Sequence, residues 1–401
     1  MKRNIVIFLL LLVNISFAGE SMFGVVDNGV GFLKTISSAA GQGRSYEMAV
    51  NDSVQLNYRN YANWTSIPNT SFTIKFGYDA IFSDDLTNDY YGDSGNFQGG
   101  YLAIPILQRK LILGGGIQPI TNVEQRIVDE TSYDSGSTTV IKENLFMDGG
   151  LDRALLNLSY RFNLLSVSLG WEYTFGNITE NLVLDIEDNT TSQLYLNYDN
   201  LYSGHGMVIN AFTDKIKDVN LGVTIRPAVD LDLERKGDSN SEVVDKTQKS
   251  TVTLPAEYNL GMEYQISNRL AAGMDVMYQD WKNGYKIDGN KVENYEKYYK
   301  IGVGIERKSS EKRFINLGQQ IDYRMGLYLS QLNITRNEEP VKEYGLSLGF
   351  SLPIQRFRSK IDFSGIVGKR GSLSTNGLEE TFVSFGISVS ASEKWFVKLD
   401  K

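Results

Sequence analysis

The 401-residue chain contains no cysteine. That excludes disulfides, thiolate metal sites, a cysteine nucleophile and a lipid-modified cysteine. Histidine is reduced to His205, in Ser203-Gly204-His205-Gly206, which reads as a turn at the start of a strand. No nucleophile motif or acidic dyad accompanies it, and no Walker, dinucleotide or zinc spacing occurs. No enzyme activity, metal or cofactor is expected. Proline numbers only seven. Positive charge is not in excess: 40 Lys and Arg face 48 Asp and Glu, the net charge is −8 and the pI is near 5.0, which argues against a nucleic-acid partner. Beyond the N-terminus no apolar run approaches the ~18 residues of a membrane helix, and mean hydropathy is −0.25.

Glycine and tyrosine are abundant, 38 and 23 residues. With little proline, this suits strands. Ser166–Phe175 is typical. Val167, Leu169, Trp171, Tyr173 and Phe175 alternate with Ser166, Ser168, Gly170, Glu172 and Thr174. A strand sends successive side chains to opposite faces, so one face is apolar and the other small or polar. The pattern recurs at Phe72–Ala80, Val219–Leu233, Leu260–Gln265, Tyr299–Glu306, Ile321–Ser330, Tyr344–Ile354 and Val383–Ser390. About 14 strands fit between Thr70 and Ala391, mostly of roughly 9 to 14 residues, long enough to cross a bilayer at a tilt.

Connections alternate between short and long. Short ones are Gln108–Lys110, Phe162-Asn163, Thr213–Asp218, Ser267–Arg269 and Gln355-Arg356, with Ser309–Arg313 slightly longer. Long polar ones are Ser83–Asn96, Glu130–Gly150, Gly176–Gly204, Lys236–Thr247 and Lys282–Tyr295. Short periplasmic turns and long outer loops are the transmembrane barrel pattern. The small face is rich in Gly and Ser, as suits a closed barrel that must leave room inside. Aromatic residues near strand ends, such as Trp171, Tyr173, Phe175 and Trp281, resemble interfacial girdles. The expected fold is therefore all-β: a transmembrane antiparallel barrel. A large periplasmic or surface all-β protein is the alternative.

Lys2 and Arg3, an apolar run from Ile5 to Val13 and Ser16-Phe17-Ala18 read as a Sec signal peptide, residues 1–18. The expected location is the bacterial outer membrane. Residues 19–69 lack clean alternation and are read as a plug folded into the lumen, or else a periplasmic extension or extra strand. The barrel itself is assigned to residues 70–401.

Three stretches carry a family likeness. Ser38–Asp52 (SAAGQGRSYEMAVND) looks like an Ala-Gly-rich plug opening. Tyr58–Trp64 (YRNYANW) falls where Asn-Pro-Ala is usual, with Tyr61 in place of the proline. Thr381–Lys398 looks like a C-terminal strand and tail. Together with the export signal they resemble the FadL family of outer-membrane transporters for long-chain fatty acids and other hydrophobic compounds. The resemblance implies 14 strands, an N-terminal plug, a lumenal pocket and a lateral exit through the third strand. On this basis Phe23, Val25, Phe32 and Leu33 are candidate contacts to an apolar ligand. Arg226, Lys300 and Arg324, read as inward-facing, are candidates for a ligand carboxylate. Their neighbours Asp230, Glu306 and Asp322 also read as inward, which allows plain internal neutralisation. Gly114, Gly115, Gly116 and Pro119 are candidates for the exit kink. The expected function is passive passage of hydrophobic small molecules by a monomer in contact with outer-membrane lipid and lipopolysaccharide. A non-transporting surface barrel, such as an adhesin, and a general porin are the alternatives.

Overall fold

In the computed structural model the described residues are 21–24, 29–132, 140–187, 192–239, 247–310, 316–355 and 358–394. The expected signal peptide lies outside them, as does Val25. The strands are β1 (Phe32–Leu33), β2 (Thr70–Asp84), β3 (Asp89–Leu107), β4 (Leu111–Pro119), β5 (Thr121–Ser132), β6 (Val140–Phe162), β7 (Leu165–Glu187), β8 (Ser192–Ile216), β9 (Val219–Arg226), β10 (Val229–Ser239), β11 (Thr247–Leu254), β12 (Glu257–Ser267), β13 (Leu270–Asp280), β14 (Lys286–Ile287), β15 (Asn290–Lys291), β16 (Lys297–Arg307), β17 (Asp322–Arg336), β18 (Glu339–Gln355), β19 (Ser359–Ser372) and β20 (Leu378–Glu393). Fourteen of them, β2, β3, β4, β6, β7, β8, β9, β12, β13, β16, β17, β18, β19 and β20, pair in that order. The ring closes by pairing β20 with β2, from Thr70↔Glu393 to Asp84↔Glu379. β5, β10 and β11 continue the third, seventh and eighth staves beyond breaks at Ile120, Pro227-Ala228 and Pro255-Ala256.

The alternation decides which way each face points. Leu169, Leu327, Leu329 and Leu348 are 61%, 54%, 64% and 55% exposed on the outside. Ser166, Ser168, Glu172 and Thr174 are buried inside. A soluble sheet would reverse this, so the outer face meets lipid. Closure pairs the backbone groups that hydrocarbon cannot satisfy. His205 is not in a turn. It lies within β8 opposite Tyr173 and stacks outward on Trp171 at 5.5 Å between ring centres, part of the upper aromatic girdle.

Three of the expected long loops, 83–96, 130–150 and 176–204, are largely strand. β6, β7 and β8 run 23, 23 and 25 residues, against the ~9–11 that span a bilayer. Beyond the lipid the alternation persists with its meaning reversed. Ile178, Tyr202, Leu231 and Val252 are buried inside, while Asn177 is exposed outside. Polar composition reads as loop in the sequence because the outward positions there face water.

Asp230 is also corrected. It is exposed and accepts a hydrogen bond from Thr253, not lumenal. Between Ile209↔Ile225 and Ser203↔Asp232, six steps along β8 oppose seven along β9 and β10. The extra residue at Pro227-Ala228 flips every later side chain, so Arg226 and Leu231 both point inward.

The N-terminal segment packs against the staves. Helix α1 (Ala39–Arg44) is capped by Ser38, whose Oγ accepts from Gly41 N at 3.0 Å, and ends at Ser45 with φ 59°. It packs on β17 to β20. A 3-10 turn, Tyr61–Ser66, packs on β6 to β8 through a cluster of Leu56, Tyr58, Tyr61, Trp64, Tyr101 and Ile112. The Gly-rich inner face makes room for this backbone. A Cβ at Gly302 would lie 1.9 Å from the Ser45 carbonyl oxygen, and one at Gly304 2.0 Å from that of Arg44.

Candidate ligand pathway

The third stave carries the largest departure from a regular wall. β4 pairs with β3 only up to Gly100↔Ile117. Pro119 supplies no N–H, and the chain turns inward at Ile120, whose N–H reaches Leu151 O at 2.8 Å. β5 then pairs with β6 on one side and with β1 on the other, through Phe32↔Asn122 and Leu33↔Thr121. Among the described residues β3 therefore has no ladder partner on this side above Gly99. The resulting cavity measures about 340 Å³ and is lined by Lys34, Ile36, Phe97, Gln98, Pro119 and Thr121. Phe97 is a lipid-side residue, 40% exposed, so the cavity joins lumen and wall. Gly114, Gly115 and Gly116 lie in the regular ladder with Ala103, Leu102 and Tyr101. Gly114 faces the Trp64 ring, 2.5 Å from a notional Cβ. The break follows Pro119.

Above this level the lumen is an apolar chamber. Phe23, Val30, Ile120, Met147, Leu231 and Leu254 belong to one buried cluster. Phe32 and Leu33 pack against it. It is covered by Trp281, Tyr285 and Tyr295, with ring centres 4.5 to 5.5 Å apart. The start of the described chain is tied down here. Ser21 Oγ and Met22 N donate to the Glu380 carboxylate, each at 2.7 Å.

Below lies an ionic floor. Arg226 contacts Glu172 at 3.0 Å and Glu257 at 2.5 Å, and donates to Tyr61 Oη at 3.0 Å. Arg324 contacts Glu306 at 2.6 Å, Asp362 at 3.2 Å and Asp322 at 3.3 Å. Both guanidiniums are buried and their donors are engaged by the protein itself. Lys300 differs. Its Nζ donates to Thr35 Oγ1 at 3.1 Å and sits 4.0 Å over the Tyr328 ring, and it forms no ion pair among the described residues. Lys75, which the alternation placed on the polar face without singling it out, has the same character, donating to Ser37 O at 2.9 Å and Gln42 Oε1 at 2.6 Å. Both lysines line a cavity of about 150 Å³ beneath the segment from Phe32 to Ser37. A second, of about 70 Å³, lies between Leu33, Trp281 and Arg226. Lys75 was not legible as a site residue because its distinction is tertiary: among the described residues it forms no ion pair, although Glu47 and Asp79 line the same cavity.

Among solved structures the fold has clear counterparts. A FadL homologue of Pseudomonas aeruginosa superposes with a TM-score of 0.60 at 13% identity, over 90% of this chain and 99% of the other. The CymD monoaromatic hydrocarbon channel gives 0.58 at 15%, over 90% and 98%. The toluene transporter TbuX of Ralstonia pickettii gives 0.57 at 13%, over 92% and 100%. The resemblance to FadL in the sequence thus holds for the fold, and the other two neighbours are a channel and a transporter. No curated protein matches. A model of the BamG family matches residues 1–400. The chain is therefore a member of the BamG family, a 14-stranded transmembrane barrel on the FadL fold.

Proposed function

We propose that this protein passes hydrophobic or amphiphilic small molecules across the outer membrane, from the outer chamber to the break in the third stave, with residues 19–69 acting as a movable plug. The observation that carries this reading is the unpartnered edge of β3 beside β5, with a cavity of about 340 Å³ open to both lumen and wall. Pockets that bury a drug-sized ligand measure about 300–1,000 Å³. The two interior cavities, about 70 and 150 Å³, are smaller, so cargo enters as the segment around Phe32-Leu33 moves away. Phe23, Val25, Phe32 and Leu33 would meet the apolar part of the cargo, with Lys300 and Lys75 at its polar end. Arg226 and Arg324 serve as internal ties. Long-chain fatty acids suit an apolar chamber above two lysines that form no ion pair among the described residues, in a cavity that Glu47, Asp79 and Glu343 also line. A porin reading is disfavoured because the described part of residues 29–69 packs across the barrel interior.

Leu33 faces Thr121 next to the hydrogen-bonded pair Lys34 and Ile120. It is therefore a non-hydrogen-bonded pair, the closer kind. In a chain without cysteine, Leu33→Cys with Thr121→Cys gives one disulfide that pins β1 to β5. Uptake of a fluorescent fatty acid by cells carrying the oxidised variant should fall about tenfold and return on reduction. Undiminished uptake with the disulfide formed would rule out the moving plug.

A further inference from the structure

The two ends of the barrel carry opposite charge. The six periplasmic connections, residues 108–110, 161–164, 214–218, 267–269, 307–322 and 355–360, contain thirteen Lys or Arg against four Asp or Glu. The seven opposite connections, 84–89, 132–140, 187–192, 239–247, 280–297, 336–339 and 372–379, contain six against fifteen. A chain of net charge −8 thus presents a basic rim on one side.

Three features distinguish this rim from scattered surface charge. Five of the six turns contribute, the exception being that between β6 and β7, whose one nearby cation, Arg161, lies in β6 and pairs with Asp214 at 3.7 Å. Arg161 and Lys360 are neutralised from within, by Asp214 and Asp52, but Arg109, Lys110, Lys217, Arg307 and Arg358 are exposed, and among the described residues none of these five has a carboxylate in ion-pair reach. The lumenal Arg44, Arg226, Arg324 and Arg370 each have one within 3.0 Å. Last, the cations sit at the lower edge of the lipid-facing band. Lys110 lies 5.8 Å over the Tyr160 ring and Arg307 5.7 Å over Tyr323, which is 43% exposed. Two occupy left-handed positions that disfavour any residue with a Cβ, Arg109 with φ 55° and Lys217 with φ 52°.

We infer that this rim binds the phosphates of anionic glycerophospholipids in the periplasmic leaflet. A ring of cations at the depth where a girdle aromatic meets water is placed for a headgroup annulus. An acidic protein partner would call for a patch on one side. The assignment does not depend on the transport reading, and its test uses no cargo.

The full-length protein in detergent is mixed with equal phosphatidylglycerol and phosphatidylcholine, and retained lipid is counted by native mass spectrometry. The wild type should retain phosphatidylglycerol with about fivefold preference per site, and the preference should vanish at about 1 M salt. Replacing Arg109, Lys110, Lys217, Arg307 and Arg358 with Gln should abolish it while leaving heat-modifiable electrophoretic mobility, the signature of the folded barrel, unchanged. If that variant fails to fold, Lys217→Gln and Arg109→Gln singly should each lower the count of retained phosphatidylglycerol. Equal retention of the two lipids by the wild type, or an unchanged preference in the variants, overturns the proposal. So does an acidic envelope protein that depends on these five residues while no lipid preference is seen.

Discussion

At the scale of single residues, the lumen is held by saturated charges. Burying Arg226 between Glu172 and Glu257 is tolerable only because each charge has its counter-charge. Arg226→Gln leaves two buried carboxylates facing a neutral amide. It should cost about 3–5 kcal/mol, read as a lower temperature for loss of the heat-modifiable folded band. The same band at the same temperature in the variant would show that these carboxylates are solvated. Asp52, at the periplasmic end of the segment, contacts Lys360 at 2.5 Å. Burial pushes its carboxyl up, but the Lys360 ammonium and the N–H groups of Val54 and Gln55 outweigh this and hold it at about 2, below the ordinary 3.8. A depressed carboxyl stabilises fully above its unfolded value and loses that contribution as pH falls toward the folded one. The wild type should therefore lose about 1–2 kcal/mol between roughly pH 5 and pH 2 that Asp52→Asn does not lose. Denaturation curves at the two pH values measure the difference.

At the scale of elements, the inner face and the lumenal segment are one design. The Gly302 and Gly304 positions on β16 sit against the carbonyls of Ser45 and Arg44. A side chain at either must displace α1, because the nearest atoms are backbone on both sides. Gly304→Val should leave the 14-stranded wall able to close while releasing residues 29–69 to protease. New cleavage in that stretch, with an intact barrel band, is the expected result. Resistance equal to the wild type would mean that the lumen has slack. The breaks at Ile120, Pro227-Ala228 and Pro255-Ala256 are the other elemental feature. Each lets one stave lean or re-phase as it leaves lipid, and at the third the neighbouring ladder stays open among the described residues. The pinning of β1 to β5 by the Leu33–Thr121 disulfide pair is the corresponding test of motion.

At the scale of the whole molecule, the structure is three stacked zones with different solvents. In the lipid zone apolar side chains point out and small or ionic ones in. Above it the sense reverses, and a sheet cup with an apolar interior stands in water. Below it a basic rim meets the periplasmic leaflet. The exposed Leu, Ile, Phe and Val of the middle zone far exceed the few hundred Å² of contiguous apolar surface that a soluble monomer carries. The mature protein should therefore remain in solution only with detergent or lipid. Sedimentation after detergent removal checks this, and a soluble monomer would contradict the membrane orientation of the faces. The opposite charges of the two rims fit a fixed orientation in an asymmetric membrane.

Period-two alternation was enough to identify strands, to count about fourteen of them and to place Arg226, Glu306 and Arg324 on the polar side, because a strand's side chains switch faces regardless of context. It was also enough, with the absence of a long apolar run, to put the apolar face in lipid. It could not follow Asp230, because one extra residue at Pro227-Ala228 reverses every later face and leaves no trace in the alternation itself. Nor could it tell Lys300 from Arg226: both are inward cations, and only packing decides that one has two carboxylates beside it and the other a threonine. The glycines from Gly114 to Gly116 drew attention to the right stave, but the break came at Pro119-Ile120, where β5 exchanges β3 for β1. Local pattern fixed the wall and its two faces. Which charges are satisfied, where the ladder opens and what lies in the lumen depend on contacts between residues hundreds of positions apart, and only the folded barrel brings those together.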